Sequence, residues 1–197
     1  MATEKKKNTS EKLLEWRYGL VAPYINPGER VLDLGAGTGW VGKRIAERKG
    51  CDVRLVDVLD CNETDLPHSV YDGHTVPFAD KEFDVCLLMF VLHHALNQEE
   101  ILREAARVTR RRIVLVEDTP RNFVERAIDS LCDTLMSLEH GFFNPANYRR
   151  IEGWRAIFDQ MGLALRGQDV VPPFFPFYYT KAVFALDPGP AFPDAAA

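Results

Sequence analysis

The 197-residue chain has no run approaching the roughly 18 to 20 consecutive apolar residues that a bilayer-crossing helix needs, so no integral membrane association is expected. Its first thirty residues are charged rather than apolar, and neither a signal peptide nor an anchor is expected. Close cysteine pairs are missing as well. The four cysteines stand at 51, 61, 86 and 132, with Cys86 inside an apolar run, a spacing that builds neither a zinc site nor a disulfide framework and points to reduced thiols in a cytoplasmic protein. Basic charge is also short. With 24 Lys and Arg against 29 Asp and Glu, the net charge of −5 leaves no concentrated basic face for a phosphate backbone, so no nucleic-acid partner is expected. The cluster Lys5-Lys6-Lys7 reads as a solubilising terminus. No tight ligand spacing joins Glu117, Asp118 and His140, and no catalytic metal is expected. What the chain has is apolar mass: 46% of it is hydrophobic, enough for one sizeable core in a length too short for two. A single domain over 1–187 is expected, with the Pro- and Ala-rich 188–197 a disordered tail.

Short aliphatic or β-branched runs alternate with stretches of helical period, the pattern of a parallel sheet covered by helices on both faces. Strands are expected at 30–34, 53–57, 69–71, 83–90 and 112–117, with helices at 41–49 and 99–109. Past Pro120 the organisation changes: Val124, Ile128, Leu131, Leu135 and Leu138 recur every three or four residues over 123–138, and a further helix is expected over 147–161. Strands at 164–170 and 181–186 flank the loop Val-Pro-Pro-Phe-Phe-Pro-Phe-Tyr-Tyr, whose prolines exclude a central strand.

The stretch Val31-Leu32-Asp33-Leu34-Gly35-Ala36-Gly37-Thr38-Gly39-Trp40 reads as a strand, a bare turn and the start of a helix. Alternate glycines let the main chain turn sharply and let a ligand touch the backbone where any Cβ would intrude. The spacing Gly-x-Gly-x-Gly is not the Gly-x-Gly-x-x-Gly of dinucleotide binders, and no Gly-Lys-Ser/Thr ending follows. Asp33 on the strand suits a ligand with a positive amino group. Asp57 ends the second strand about 20 residues beyond the glycines, where an acid can accept from ribose hydroxyls.

These blocks resemble the class I S-adenosylmethionine-dependent methyltransferases, in particular the small-molecule subgroup often called type 11. The resemblance runs from Val31 to Val116 and includes the glycine loop, Asp57, the pair Asp72-Gly73 with Val76-Pro77-Phe78 and Phe83-Asp84, and Phe90-Val91-Leu92-His93-His94 leading to Leu102, Glu104 and Arg107-Val108. It implies a Rossmann-like α/β fold: a seven-stranded, mostly parallel sheet with an antiparallel last strand and helices on both faces. It also implies S-adenosyl-L-methionine as cofactor. Gly35, Ala36, Gly37 and Gly39 would hold its methionine half, with Asp33 near the amino group and the main chain at Met89 completing that pocket. Asp57 would hold the ribose, Val58 or Leu59 would lie against the adenine face, and Asp72 with Gly73 would read the ring edge. Where the family has Leu-Lys-Pro-Gly-Gly before the fifth strand, this chain has Val108-Thr109-Arg110-Arg111-Arg112, read as a short charged turn.

Methyl transfer from a sulfonium is an in-line displacement, so alignment counts most and a base helps a hydroxyl or amine acceptor. His93 and His94, after the fourth strand, are base candidates; they stand equally as packing residues. Glu117 with Asp118 is either a base or a loop-ordering pair. The variable parts, namely the N-terminal helix with Trp16 and Tyr18, the segment 120–148 with His140, and the loop 172–179 with Phe175, are rich in aromatic or aliphatic residues, as walls of a small-molecule pocket are. Segment 120–148 is expected as a substrate lid. The expected function is methyl transfer to a small, partly apolar acceptor at oxygen or nitrogen, by a monomer or homodimer. A protein or RNA methyltransferase, or a non-catalytic cofactor-binding module, are the alternatives.

Overall fold

The computed structural model describes residues 2–140, 147–173 and 179–189, with side chains from residue 11 onward apart from 133 and 135–140. Helix α1 (Ala2–Val21) leads through a short 3-10 turn to β1 (Arg30–Leu34), α2 (Trp40–Lys49), β2 (Asp52–Asp57), β3 (His68–Val70), β4 (Phe83–Met89), α3 (Gln98–Val108) and β5 (Thr109–Asp118). Then come α4 (Phe123–His140), α5 (Ile151–Gln160), β6 (Ala164–Val171) and β7 (Lys181–Asp187). The seven strands lie in the order β3-β2-β1-β4-β5-β7-β6. Pairing is parallel from β3 to β5, whereas β7 runs antiparallel to both β5 and β6, as the sequence leads one to expect.

Period-two alternation splits the strands' apolar residues between two faces. Leu32, Leu34, Cys86, Leu88, Ile113 and Leu115 pack with Ile101, Leu102 and Ala105 of α3 and with Trp154 and Phe158 of α5. Val31, Val53, Leu55, Leu87, Val114 and Val116 pack on the other face with Val21 and Ile45. Strand order reverses between β1 and β4, and the crevice at their carboxyl ends is where ligands bind in open α/β sheets.

Three expectations need correction. The arginine triplet is no turn: β5 begins at Thr109, directly after α3, and Arg110, Arg111 and Arg112 extend the strand. Arg110 pairs with Asp84 at 3.1 Å, Arg111 with Glu29 at 3.3 Å, and Arg112 donates to the Tyr24 carbonyl at 2.5 Å. A register shift between Phe83 and Val85 takes up the extra residue. Helix α5 begins at Ile151 rather than 147, because Asn147 is drawn away: its N–H donates to the His93 carbonyl at 3.0 Å and its side-chain amide to Ala95 at 3.2 Å. Strand β4 stops at Met89, since Phe90 turns into the left-handed region with φ of 59°.

Helix α4 does not point its apolar stripe inward at its start. Val124 and Leu131 are exposed, whereas Glu125 is buried. Asn122 caps the helix by accepting the Glu125 N–H at 2.9 Å, and Glu125 accepts the backbone N–H and hydroxyl of Thr180 at 3.1 and 2.9 Å. That ties α4 to the start of β7. Burial alone would raise the Glu125 carboxyl, but hydrogen bonds from Arg121 and Thr180 hold it down at about 2.

Candidate active site

The turn after β1 is built from glycines in the left-handed region. Gly35, Gly37 and Gly39 have φ of 78°, 54° and 80°. A Cβ on Gly35 would stand 2.3 Å from Val91 Cγ2, and one on Gly39 would stand 2.6 Å from Leu55 Cδ1. The turn is tied to the end of β2: Gly35 and Ala36 donate to the Val56 carbonyl at 2.8 and 3.2 Å, and Gly37 donates to Asp57 Oδ2 at 2.8 Å. Asp57 Oδ1 accepts the Leu59 N–H at 3.0 Å. Asp57 therefore holds the loop in shape, with carboxylate lone pairs still left for a diol.

Asp33 is buried on the cavity side of β1. Burial first, and the nearby Asp57 charge second, push its carboxyl up to about 7 against the pull of the Gly42 N–H. Beyond β2, Val58 is about half exposed and the Gly73 backbone comes beside it; a Cβ on Gly73 would lie 3.5 Å from Val58 Cγ1. Asp72 Oδ1 accepts the Thr75 and His74 N–H groups, each at 2.8 Å, and these bonds hold its carboxyl below the usual range. Asn97 donates to the Gly73 carbonyl at 3.0 Å. Val58 and Gly73 are thus neighbours beyond the end of β2, with Asp72 next to Gly73 in the chain.

A cavity of about 690 Å³ continues from the glycine turn. Gly35, Ala36, Gly37 and Met89 form its floor, Leu13, Leu14, Trp16 and Arg17 of α1 form its cover, and His93, His94, Asp118, Tyr179 and Lys181 close its far end. Surface ion pairs from Arg44 and Arg48 to Glu11 and Glu15 strap α1 to α2. Phe90, whose left-handed backbone is unfavourable for a bulky residue, is held by its N–H to the Val116 carbonyl at 2.8 Å and stacks on Trp16 with centroids 6.4 Å apart.

Behind the far end lies a buried hydrogen-bond knot. Glu117, fully buried, accepts the Val91 and Leu92 N–H groups at 3.0 and 2.7 Å through one oxygen and bonds His93 Nδ1 at 2.6 Å through the other. The His93 ring stacks on Tyr148 at 5.3 Å and touches His94 at 4.0 Å between centroids. Asp118 pairs with Lys181 at 3.2 Å, and the Lys181 ammonium sits 3.6 Å from the Tyr179 ring centre. Burial raises the Asp118 carboxyl to about 6, although Lys181 and His93 both pull it down.

The structure thus brings Asp33, Gly35, Ala36, Gly37, Met89, Trp16, His93 and His94 to one cavity. Asp57, Val58, Asp72 and Gly73 do not line it: Asp57 is bonded to its glycine turn, and Val58 and Gly73 are neighbours beyond β2. Glu117 stands behind His93 rather than on the wall. Gly39 serves the turn into α2. Tyr18 does not line the cavity: it packs towards α2, with the Arg48 guanidinium 5.1 Å above its ring. Phe175 and the His140 side chain lie outside the described residues. No described residue of α4 lines the cavity; α1 covers it instead. Arg17 and Lys181 escaped the sequence reading, because Lys181 meets Asp118 only through the β5–β7 pairing. Among the described residues no cluster of three or more His, Cys, Asp or Glu is placed to hold a metal ion.

This sheet order, with a triple-glycine turn and two strand-end acids at the switch point, is the architecture of the class I S-adenosylmethionine-dependent methyltransferases, and the chain belongs to that family. Residues 32–116 match the family model described as "Methyltransferase domain". A demethylmenaquinone methyltransferase from Mycobacterium sp. (strain KMS) is 33% identical over 159 residues, covering 72% of this chain and 66% of that protein. One from Thermotoga maritima is 32% identical over 133 residues, covering 62% and 53%. The chain thus spans between about half and two thirds of these relatives' length. Among solved structures, the methyltransferase in a complex with the Haloferax volcanii Trm112 methyltransferase activator superposes with a TM-score of 0.68 at 18% identity, over 96% of this chain and 97% of that one. No helix among the described residues is long and apolar enough to cross a membrane.

Proposed function

We propose that the chain transfers a methyl group from S-adenosyl-L-methionine to a small, partly apolar acceptor, at oxygen or nitrogen, as a monomer or homodimer. The observation that carries this reading is a cavity of about 690 Å³ that runs from the glycine turn and Asp33 to His93, with Asp57 of β2 bonded to that turn at Gly37. The residues fit the cofactor. The glycine turn presents bare backbone to the cavity, and among the described residues no cation pairs with the buried Asp33, a charge that an amino group would supply. When bound, the cofactor offers an electrophilic methyl on a positive sulfur. The chain's own residues do the rest: Asp57 and Asp72 accept from hydroxyls and an exocyclic amine, α1 excludes water, and the walls align the acceptor with the methyl.

The Glu117 bond at Nδ1 supports a tautomer in which Nε2 is the basic nitrogen, suited to taking the acceptor's proton. We assign segment 120–148 to the acceptor side, next to the α1 cover, a reading supported by Tyr148 stacking over His93. The curated relatives are named as demethylmenaquinone methyltransferases, which makes a reduced naphthoquinone the first acceptor to test. Purified protein with methyl-labelled cofactor should transfer label to naphthoquinol or a related hydroxyarene. His93→Gln should lower kcat about 100-fold or more, within the range for loss of a general base, while cofactor binding stays unchanged. Transfer by His93→Gln at the parent rate would remove His93 from the mechanism.

A further inference from the structure

The wall of the cavity carries a guanidinium that the transfer reaction does not use. Arg17 reaches into the chamber from α1, its Nε is buried, and among the described residues that nitrogen has no hydrogen-bond partner. Its guanidinium lies over the Phe90 ring at 5.9 Å, the ring that also stacks on Trp16. Lys181 and Asp118 stand on the same wall, and the Asp118 carboxylate pairs with Lys181 and also attracts Arg17. Of the other acids, Glu117 is bonded to two backbone N–H groups and His93 behind the wall, Glu11 is paired with Arg44 at the rim, and Asp33 lies at the glycine turn, where it accepts the Gly42 N–H. A buried Nε–H with no hydrogen-bond partner is costly in a stable fold, and a half-buried guanidinium such as that of Arg17 has the fork geometry for a carboxylate or another anionic oxygen.

Resting on the methyltransferase reading above, we propose that the acceptor is a flat aromatic acid, whose anionic oxygen group is held by Arg17 while its ring lies against Trp16 and Phe90. The charge pattern suits the chemistry. A lone pair on the acceptor attacks the methyl carbon, the carbon–sulfur bond breaks with its electrons going to sulfur, and any proton on the attacking atom passes to His93. The sulfonium charge disappears in that step, and the acid group, outside the reacting bond, stays with Arg17 throughout. Arg17 is then a specificity residue. It selects anionic acceptors over neutral ones of the same shape.

The test uses two isosteres, 2-naphthoate and 2-naphthamide, titrated into the full chain by calorimetry with and without saturating S-adenosylhomocysteine. The acid should bind at least about tenfold tighter than the amide, a difference of about 1.4 kcal/mol. Arg17→Gln should weaken naphthoate to the level of the amide and leave naphthamide and S-adenosylhomocysteine binding where they were, and Arg17→Lys should restore part of the preference. Equal binding of the two probes, no binding of either at about 1 mM, or a preference that survives Arg17→Gln would each overturn the proposal. Failure of S-adenosylhomocysteine to bind the parent would instead defeat the methyltransferase reading, and the comparison without cofactor separates the two.

Discussion

At the scale of single residues, Asp33 ties the protein's electrostatics to cofactor recognition. In the free protein its carboxyl sits at about 7, so at pH 6 most copies carry a proton. A bound ammonium favours the charged form, so binding of S-adenosylmethionine at pH 6 should release a proton from Asp33, and affinity should rise as the pH rises from 6 to 8. Calorimetry in two buffers of different ionisation enthalpy measures that release, and Asp33→Asn should abolish it. Stability of the free protein runs the other way. A carboxyl raised from 3.8 to about 7 by folding contributes stability below its ordinary range that is lost as the pH climbs to 7. The cofactor-free Asp33→Asn variant should therefore melt above the parent at pH 8. An unchanged proton count would show that Asp33 does not meet the ammonium. The glycines and strand-end acids were legible in the sequence because each is a local requirement, a turn that forbids Cβ or a carboxylate at a strand end. Arg17 was not: a charged residue on a helix gives no sign of whether it faces water or a chamber.

At the scale of elements, what could be read was periodicity, and what was missed was contact between elements distant in sequence. The arginine triplet looks like a solvated turn until Asp84, Glu29 and the Tyr24 carbonyl arrive to hold it as strand. The stripe on α4 predicted the helix and not its orientation, since the buried anchor is Glu125, which finds Thr180 only after β7 has formed. Val124 and Leu131 remain on the surface, so these two members of the stripe add little to the core. Replacing 128–146 with a Gly/Ser linker, which keeps the Asn122 cap and the Glu125–Thr180 tie, should leave S-adenosylhomocysteine affinity within a few-fold and abolish methyl transfer. Loss of cofactor binding together with cooperative unfolding would instead make this segment part of the fold.

At the scale of the whole molecule, the sheet was predictable from alternating short apolar runs, and its reversal between β1 and β4 places the crevice. The cover of that crevice was not. It comes from α1, at the opposite end of the chain from the segment expected to close it, and is fastened by ion pairs between α1 and α2 that are individually worth only about 0.2–1 kcal/mol. Asp57, Asp72 and the cavity at Asp33 are proposed to form one S-adenosyl site. Calorimetric titration of S-adenosylhomocysteine into the parent, Asp57→Ala and Asp72→Ala tests it most directly. One site per chain is expected in the parent, with affinity lowered several-fold or more in each folded variant as hydrogen bonds to the adenosine are lost. Binding of NADH or ATP in place of the S-adenosyl compound, or parent-level affinity in both variants, would contradict it.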